Sequence, residues 1–400
     1  MQGTEREMRT GSASWDVARI REDFPSLAHG NATSLQIYLD GPAGSQLPAC
    51  VLQVLDGPGA IDALPGAQAA FADWLGGLAE EIVVGSSMTS LAWQAAQALA
   101  PQWNAGDNIV LTLQDHRSNT EAWSLAADAR GVEVRWVGLD PDGSLDLDEL
   151  TAKVTRRTRL LAFSAASNVT GTINDVPRIA TIAKAEGRAL VFVDAVHLAA
   201  HRLGDARRWN CDFLACSAYK FYGPKVAALW IRAGVRDLLA EAQFQMSSQT
   251  GSLESLSPAM LAGVQAAIDY VAGKADGSSR RQRLERSASA IASHEQRLVV
   301  RLWNGLARLP RVNVLGLPPS GDRTATVGFS LEGLGAQYVC ELLARQRIRV
   351  GSGHFNAAPL VKALGHGATG VVRAGCMMYT TPDEIDLLLD AVADVDKRRG

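Results

Sequence analysis

A lysine sits in the run Ser217-Ala-Tyr-Lys220-Phe-Tyr-Gly-Pro224, past an apolar stretch and before a Gly-Pro turn. An amine placed there is drawn out of water, which favours its neutral, nucleophilic form. Upstream, Val191-Phe-Val-Asp194-Ala-Val-His197 closes another apolar run on a carboxylate. A carboxylate buried at a strand end is costly unless it meets a cation or strong donors. A protonated pyridine nitrogen is one such partner, and the carboxylate keeps it charged so that the ring can act as an electron sink. Each residue alone is also explained blandly, Lys220 as a surface lysine and Asp194 as a strand-end cap. Together, an aldehyde-binding amine and a ring-nitrogen partner are what pyridoxal phosphate (PLP) requires.

Three further clusters follow apolar runs. Gly85-Ser-Ser-Met-Thr89-Ser90 leads into a helical pattern, so its free N–H groups can receive a phosphate, or simply cap the helix. Asp115-His116-Arg-Ser-Asn119 puts an imidazole where it can stack on an aromatic ring or move protons, or cap the next helix. Ser167-Asn168-Val-Thr-Gly171-Thr offers an amide donor within a turn-forming sequence.

The elements that must gather these clusters are short apolar runs alternating with helical patterns. Strands are expected at Ile37–Leu39, Glu81–Val84, Asn108–Leu113, Glu133–Val137, Leu160–Ser164, Leu190–Val193, Phe213–Cys216 and Ala227–Ile231. Helices are expected at Ser90–Ala100, Asn119–Ala129, Val176–Ala185 and Pro258–Ala275. Strands without polar alternation, separated by helices, imply a mostly parallel sheet covered on both faces. Ligands then gather at the carboxyl ends of the strands, where all five clusters fall. A long surface helix over 276–300 leaves this unit. Strands near Val312–Leu315 and Thr324–Leu331 and helices at Ala336–Arg345 and Pro382–Asp396 suggest a small α+β domain. The expected division is an N-terminal arm (1–35, with a short helix near Val17–Arg21) packing with the small domain, a large domain (36–275) and the small domain (276–400).

Bulk properties narrow the function. With 47% apolar and 20% charged residues, the 400-residue chain has ample core for such an α/β fold. A formal net charge of −3 gives no basic surface for nucleic acid or anionic lipid. No apolar run approaches the ~20 residues of a membrane span, and Met1–Asp16 lacks the apolar core of a secretory signal. Cys50, Cys211, Cys216, Cys340 and Cys376 are scattered and odd in number, which reads as reduced thiols, no metal site and a cytoplasmic location.

The Asp194 and Lys220 runs resemble the PLP signature of the class V aminotransferase and cysteine desulfurase family. Asp115-His116, Ser167–Thr172 and Arg373-Ala-Gly fall in the family's order, and Tyr38–Pro48 is similar to its N-terminal active-site loop. The resemblance covers residues 20–395. It implies a fold-type I homodimer with shared active sites, acting on a small amino-acid substrate. Lys220 would be the Schiff-base lysine and later proton carrier, Asp194 the partner of the pyridine nitrogen, and His116 the ring stacked over the cofactor. Met88, Thr89 and Ser217 would hold the phosphate, with Ser252 reaching the partner's phosphate. Asn168 and His197 would face the cofactor, and Arg373 would clamp the substrate carboxylate. Ala43 and Asn168 would also contact substrate; His354, on the loop near it, could contact it and protonate a leaving sulfur or simply be a solvated loop histidine.

Three positions depart from the desulfurase pattern. His197 replaces a glutamine, Tyr219 replaces a histidine, and the loop Arg349-Val-Gly-Ser-Gly-His354-Phe-Asn-Ala-Ala lacks the cysteine on which desulfurases form a persulfide. The expected activity is therefore a carbon–sulfur lyase releasing the leaving group from cysteine or an S-substituted cysteine by β-elimination, without an enzyme thiol. Alternatives on the same scaffold are an aminotransferase or epimerase and, in another class, a non-catalytic PLP-fold binding protein.

Overall fold

The computed structural model describes residues 15–27, 37–59, 62–187, 189–241 and 256–397. A seven-stranded sheet contains β2 (Ile82–Gly85), β3 (Asn108–Thr112), β4 (Glu133–Val137), β5 (Thr158–Ser164), β6 (Leu190–Asp194), β7 (Phe213–Ser217) and β8 (Ala227–Ile231). Its order is β2-β8-β7-β6-β5-β3-β4, and only β8 runs against the rest. The short link from β7 to β8 leaves no room for a crossover helix, so β8 must turn back antiparallel. The mostly parallel sheet expected from the sequence is thus present, with one reversed strand.

Both faces of this sheet are buried. On β5, Leu161 and Phe163 enter one apolar cluster while Leu160 and Ala162 enter the other, and on β6 Val191 and Val193 oppose Phe192 in the same way. Successive side chains point to opposite faces, so a strand covered on both sides must be apolar throughout. Helices Met88–Leu99 and Arg117–Asp128 cover one face; Leu64–Leu75 and Val176–Lys184 cover the other.

A second, four-stranded antiparallel sheet has the order β12-β13-β10-β9, comprising β9 (Val312–Leu315), β10 (Thr326–Leu331), β12 (Gly351–Gly353) and β13 (Val371–Gly375). β1 (Ile37–Tyr38) pairs in parallel with β11 (Ile348–Arg349), which carries the chain's early segment to the C-terminal region. The expected long helix runs over Arg280–Leu306. The expected short helix is Val17–Glu22, where Arg21 bonds Glu384 and the carbonyl of Tyr379. The remainder of the 1–35 arm is described only at 15–16 and 23–27.

One junction between the two sheets matters for the site. Arg323 lies buried over Trp303, 4.4 Å from the ring centre, and donates to the carbonyls of Thr170 and Thr326. Thr324 N–H bonds the Gly171 carbonyl. Gly171 adopts φ +79, and a Cβ there would sit 2.4 Å from the Thr326 oxygen, so only glycine fits. The turn carrying Asn168 is thereby fastened to the second sheet.

Candidate active site

Eight segments meet at a cavity of about 350 Å³ beyond the carboxyl ends of β2, β3, β5, β6 and β7. Its walls include Ala43, Met88, Thr89, His116, Asn168, Asp194, His197, Ser217, Lys220 and Arg373. The sequence-selected residues are brought together with two exceptions. Ser252 lies outside the described residues. His354 is half-buried and turned away, its Nε2 bonded to the Gly367 carbonyl 2.8 Å distant, so it is not among the walls.

Lys220 ends a single 3₁₀ turn after β7 and is almost fully buried. Its Nζ donates to the carbonyl of Pro42 and, at 3.5 Å, to that of Ala43. Burial, with help from nearby Arg373, brings the amine down to about 7. The loop that receives these bonds is stitched to the lysine turn by Ser45, which bonds the Tyr219 carbonyl through both N–H and hydroxyl.

Asp194 closes β6 with Oδ1 accepting from the Val196 N–H at 2.8 Å. Burial pushes the carboxyl up to about 7, and Asp115 adds to the rise. Among the described residues it makes no ion pair. A carboxylate left in this state at the wall of a cavity is matched by a ligand that brings a positive N–H.

His116 caps the helix Arg117–Asp128, its Nδ1 accepting from Ser118 N–H at 3.1 Å. Behind it Asp115 takes hydrogen bonds from Thr112, Asn119 and Ser164, which locks the strand–helix junction. Burial and the cations Lys220 and Arg373 hold the imidazole down to about 4, so it is neutral at physiological pH. A neutral ring suits stacking on an aromatic ligand.

Ser87 caps the 12-residue helix Met88–Leu99 through the Ser90 N–H. Its first-turn N–H groups and the dipole's positive end face the cavity at Met88 and Thr89. Thr89 hydroxyl bonds Ser118 at 2.8 Å, and Ser217 completes this polar end. The donors present suit a phosphate group. With Lys220, Asp194 and His116 in the same cavity, the residues fit PLP.

Arg373, on β13, is 4% exposed. Nη1 donates to the Asn168 carbonyl at 2.9 Å, Nη2 pairs with Asp40 at 3.4 Å, and Nε is buried without a partner. Burial lowers its guanidinium to about 10. His197 is neutral for the same reason, with Nε2 bonded to Thr324 at 3.2 Å.

Sequence reasoning left out Asp40, Ser118, Phe355 and Asn356. Asp40 and Phe355 touch Arg373 across more than 300 and about 20 positions respectively, and no local motif marks either contact. Among the described residues no cluster of His, Cys, Asp and Glu could hold a metal ion, and no helix is long and apolar enough to cross a membrane.

Comparison with known proteins agrees with this geometry. Residues 37–388 match the aminotransferase class-V family, so the chain belongs to that family. A probable cysteine desulfurase of Pseudomonas putida is 33% identical, aligned over 93% of this chain and 96% of its own. An aminotransferase-like protein, FGM3, of Gibberella zeae is 31% identical over 95% and 98%. The apo cysteine desulfurase of Thermococcus onnurineus NA1 superposes with a TM-score of 0.83 at 26% identity, covering 95% of this chain and 98% of that one.

The amine at position 220 sets a pH dependence. Attack on an aldehyde needs the neutral amine. At pH 8 a lysine titrating near 7 is roughly nine-tenths neutral, whereas an ordinary lysine is well under one per cent neutral. The rate at which apoprotein takes up PLP should climb through pH 6–7 and level off above 8, read by stopped-flow absorbance. A rate still climbing in proportion to hydroxide at pH 9–10 would contradict it.

Proposed function

We propose that the chain is a PLP-dependent lyase that breaks the carbon–sulfur bond of cysteine or an S-substituted cysteine by β-elimination. The observation that carries this is a cavity containing Lys220, Asp194 and His116 with no cysteine on its walls. Cys340 donates from Sγ to the Gly351 carbonyl, and burial raises its thiol to about 11. Cys376 is buried behind Arg373's strand and its thiol is also pushed up by burial. A thiolate is the nucleophile that persulfide formation needs, and none is offered here. The sulfur leaves with the substrate's own side chain.

The cofactor, when bound, supplies a ring that takes up the electron pair left by the departing α-proton. The remaining work falls to this chain. Met88, Thr89 and Ser217 would hold the phosphate, and Asp194 would keep the ring nitrogen protonated. His116 would stack on the ring with its neutral imidazole, and Asn168 and His197, on the same cavity wall, would offer it polar contacts. Arg373 takes the substrate carboxylate through a fork that suits two oxygens. Lys220 accepts the α-proton as a neutral amine. The reading includes a homodimer with shared active sites. It also includes a cytoplasmic location, supported by five cysteines without a disulfide.

Incubating the holoenzyme with cysteine or S-methylcysteine should yield pyruvate, ammonia and sulfide or methanethiol in equal amounts. Amination of an added keto acid, with no pyruvate formed, would instead make it an aminotransferase and sink the lyase assignment.

A further inference from the structure

The loop that should carry a desulfurase's cysteine is shaped by an unusual backbone. Phe355 and Asn356 adopt φ of 52 and 56, consecutive left-handed residues without a glycine. Asparagine tolerates this region, but for a bulky residue it is strained and must be imposed by its surroundings. The surroundings are visible. Asn168 Nδ2 donates to the Phe355 carbonyl at 2.9 Å, and Arg117 N–H donates to the Asn356 carbonyl at 2.7 Å. Both bonds tie the loop to segments already in the site.

The strain places an aromatic ring over the arginine. The guanidinium carbon of Arg373 lies 3.9 Å from the centre of the Phe355 ring, and both residues line the cavity. Room for the ring comes from Gly351, where a Cβ would meet a Phe355 ring carbon at 2.8 Å and Asp40 Oδ1 at 3.0 Å. Stacking on a π face stabilises the cation without consuming a donor. It also keeps water off the guanidinium, so a carboxylate arriving there meets a partner in a low-dielectric setting, where the attraction is stronger. One buried donor, Nε, still lacks an acceptor.

We propose that Phe355 is a specificity-determining residue: its aromatic face, stacked on Arg373, holds the guanidinium set to receive a carboxylate, so that the site selects amines carrying an α-carboxylate over amines without one. This rests on the assignment of Arg373 as the carboxylate clamp. The strained backbone is retained because it delivers the ring to that place.

Glycine and methylamine differ by the carboxylate and neither has a β-leaving group. Their dissociation constants with the holoenzyme can be read from the cofactor's visible absorbance. The native protein should prefer glycine. Phe355→Leu, which keeps an apolar side chain but no π face, should reduce that preference about tenfold, through weaker glycine binding. Phe355→Tyr should retain it, and methylamine binding should change little in either. An unchanged preference in Phe355→Leu, equal losses in the Leu and Tyr variants, or parallel weakening of both ligands would overturn the proposal. A thermal melt of each variant identifies losses due to unfolding, and aromatic rescue by tyrosine separates stacking from mere bulk. If the native holoenzyme shows no preference for glycine, the assignment of Arg373 itself fails, a result distinct from failure at Phe355.

Discussion

Lys220→Ala lowers turnover by at least about a thousandfold while the chain stays folded. A positioned proton-transfer group contributes roughly 10²–10⁴-fold, and this lysine is assigned a second task, binding the cofactor aldehyde. Its burial gives no compensating stability, because desolvation opposes the charged form and brings the amine down to about 7. The substitution gives up the amine's hydrogen bonds to the Pro42 and Ala43 carbonyls and relieves that desolvation. Melting temperature of the apoprotein should therefore hold or rise slightly, while pyruvate release from cysteine vanishes. A variant that retains a tenth of native turnover would remove Lys220 from the chemistry.

Asp194→Asn should have opposite effects on stability and on function. The carboxyl titrates at about 7 rather than the ordinary 3.8, because burial disfavours its anion. The sign follows from linkage. The unfolded chain releases this proton near pH 4 and the folded one near 7, so stability of the apoprotein falls as pH rises between those values. Above pH 7 the full cost is present, on the order of 4 kcal/mol. Asparagine removes that cost, so the apo variant at pH 8 should melt higher than the native apoprotein, with the difference shrinking toward pH 4. Turnover should move the other way, by about 10²–10³-fold, since a neutral amide cannot hold a proton on the ring nitrogen and the loss of one preorganised group at a reacting centre costs about that much. A melt and a pyruvate assay on one preparation decide it. Equal stability at pH 8 together with native turnover would show that Asp194 serves neither role.

Much of the large sheet was legible because a strand covered on both faces has to be apolar at every position. Runs such as Leu160–Phe163 and Phe213–Cys216 are short and unbroken, and too short for a helix, which fits a strand buried on both faces. The direction of β8 was not legible, since apolar content says nothing about polarity; the short link after Ser217 fixes it. Helix Leu64–Leu75 was missed because Pro65 and Gly66 look like breakers, although a proline in the first turn forfeits no helical hydrogen bond. Its buried Ala67, Ala70, Phe71, Ala72, Trp74 and Leu75 also spread around the helix, which blurs a 3.6-residue period.

The cavity's walls were legible where a single polar side chain stands at a strand end, as at Lys220, Asp194 and His116. It was not legible where function lies in a pair. Asp40 and Arg373 are 333 positions apart, and Thr89 and Ser118 sit on different helices. His354 shows the reverse case. It shares a loop with Phe355 and Asn356, but the chain there turns so that Phe355 faces the cavity while His354 bonds Gly367.

The most direct test of the central claim is chemical trapping of the cofactor. Protein incubated with PLP, reduced with borohydride and digested should carry the reduced cofactor on one peptide, the one containing Lys220, with the bond at its Nζ. Recovery of the label on Lys225 or another lysine, or of no labelled peptide at all, would contradict it.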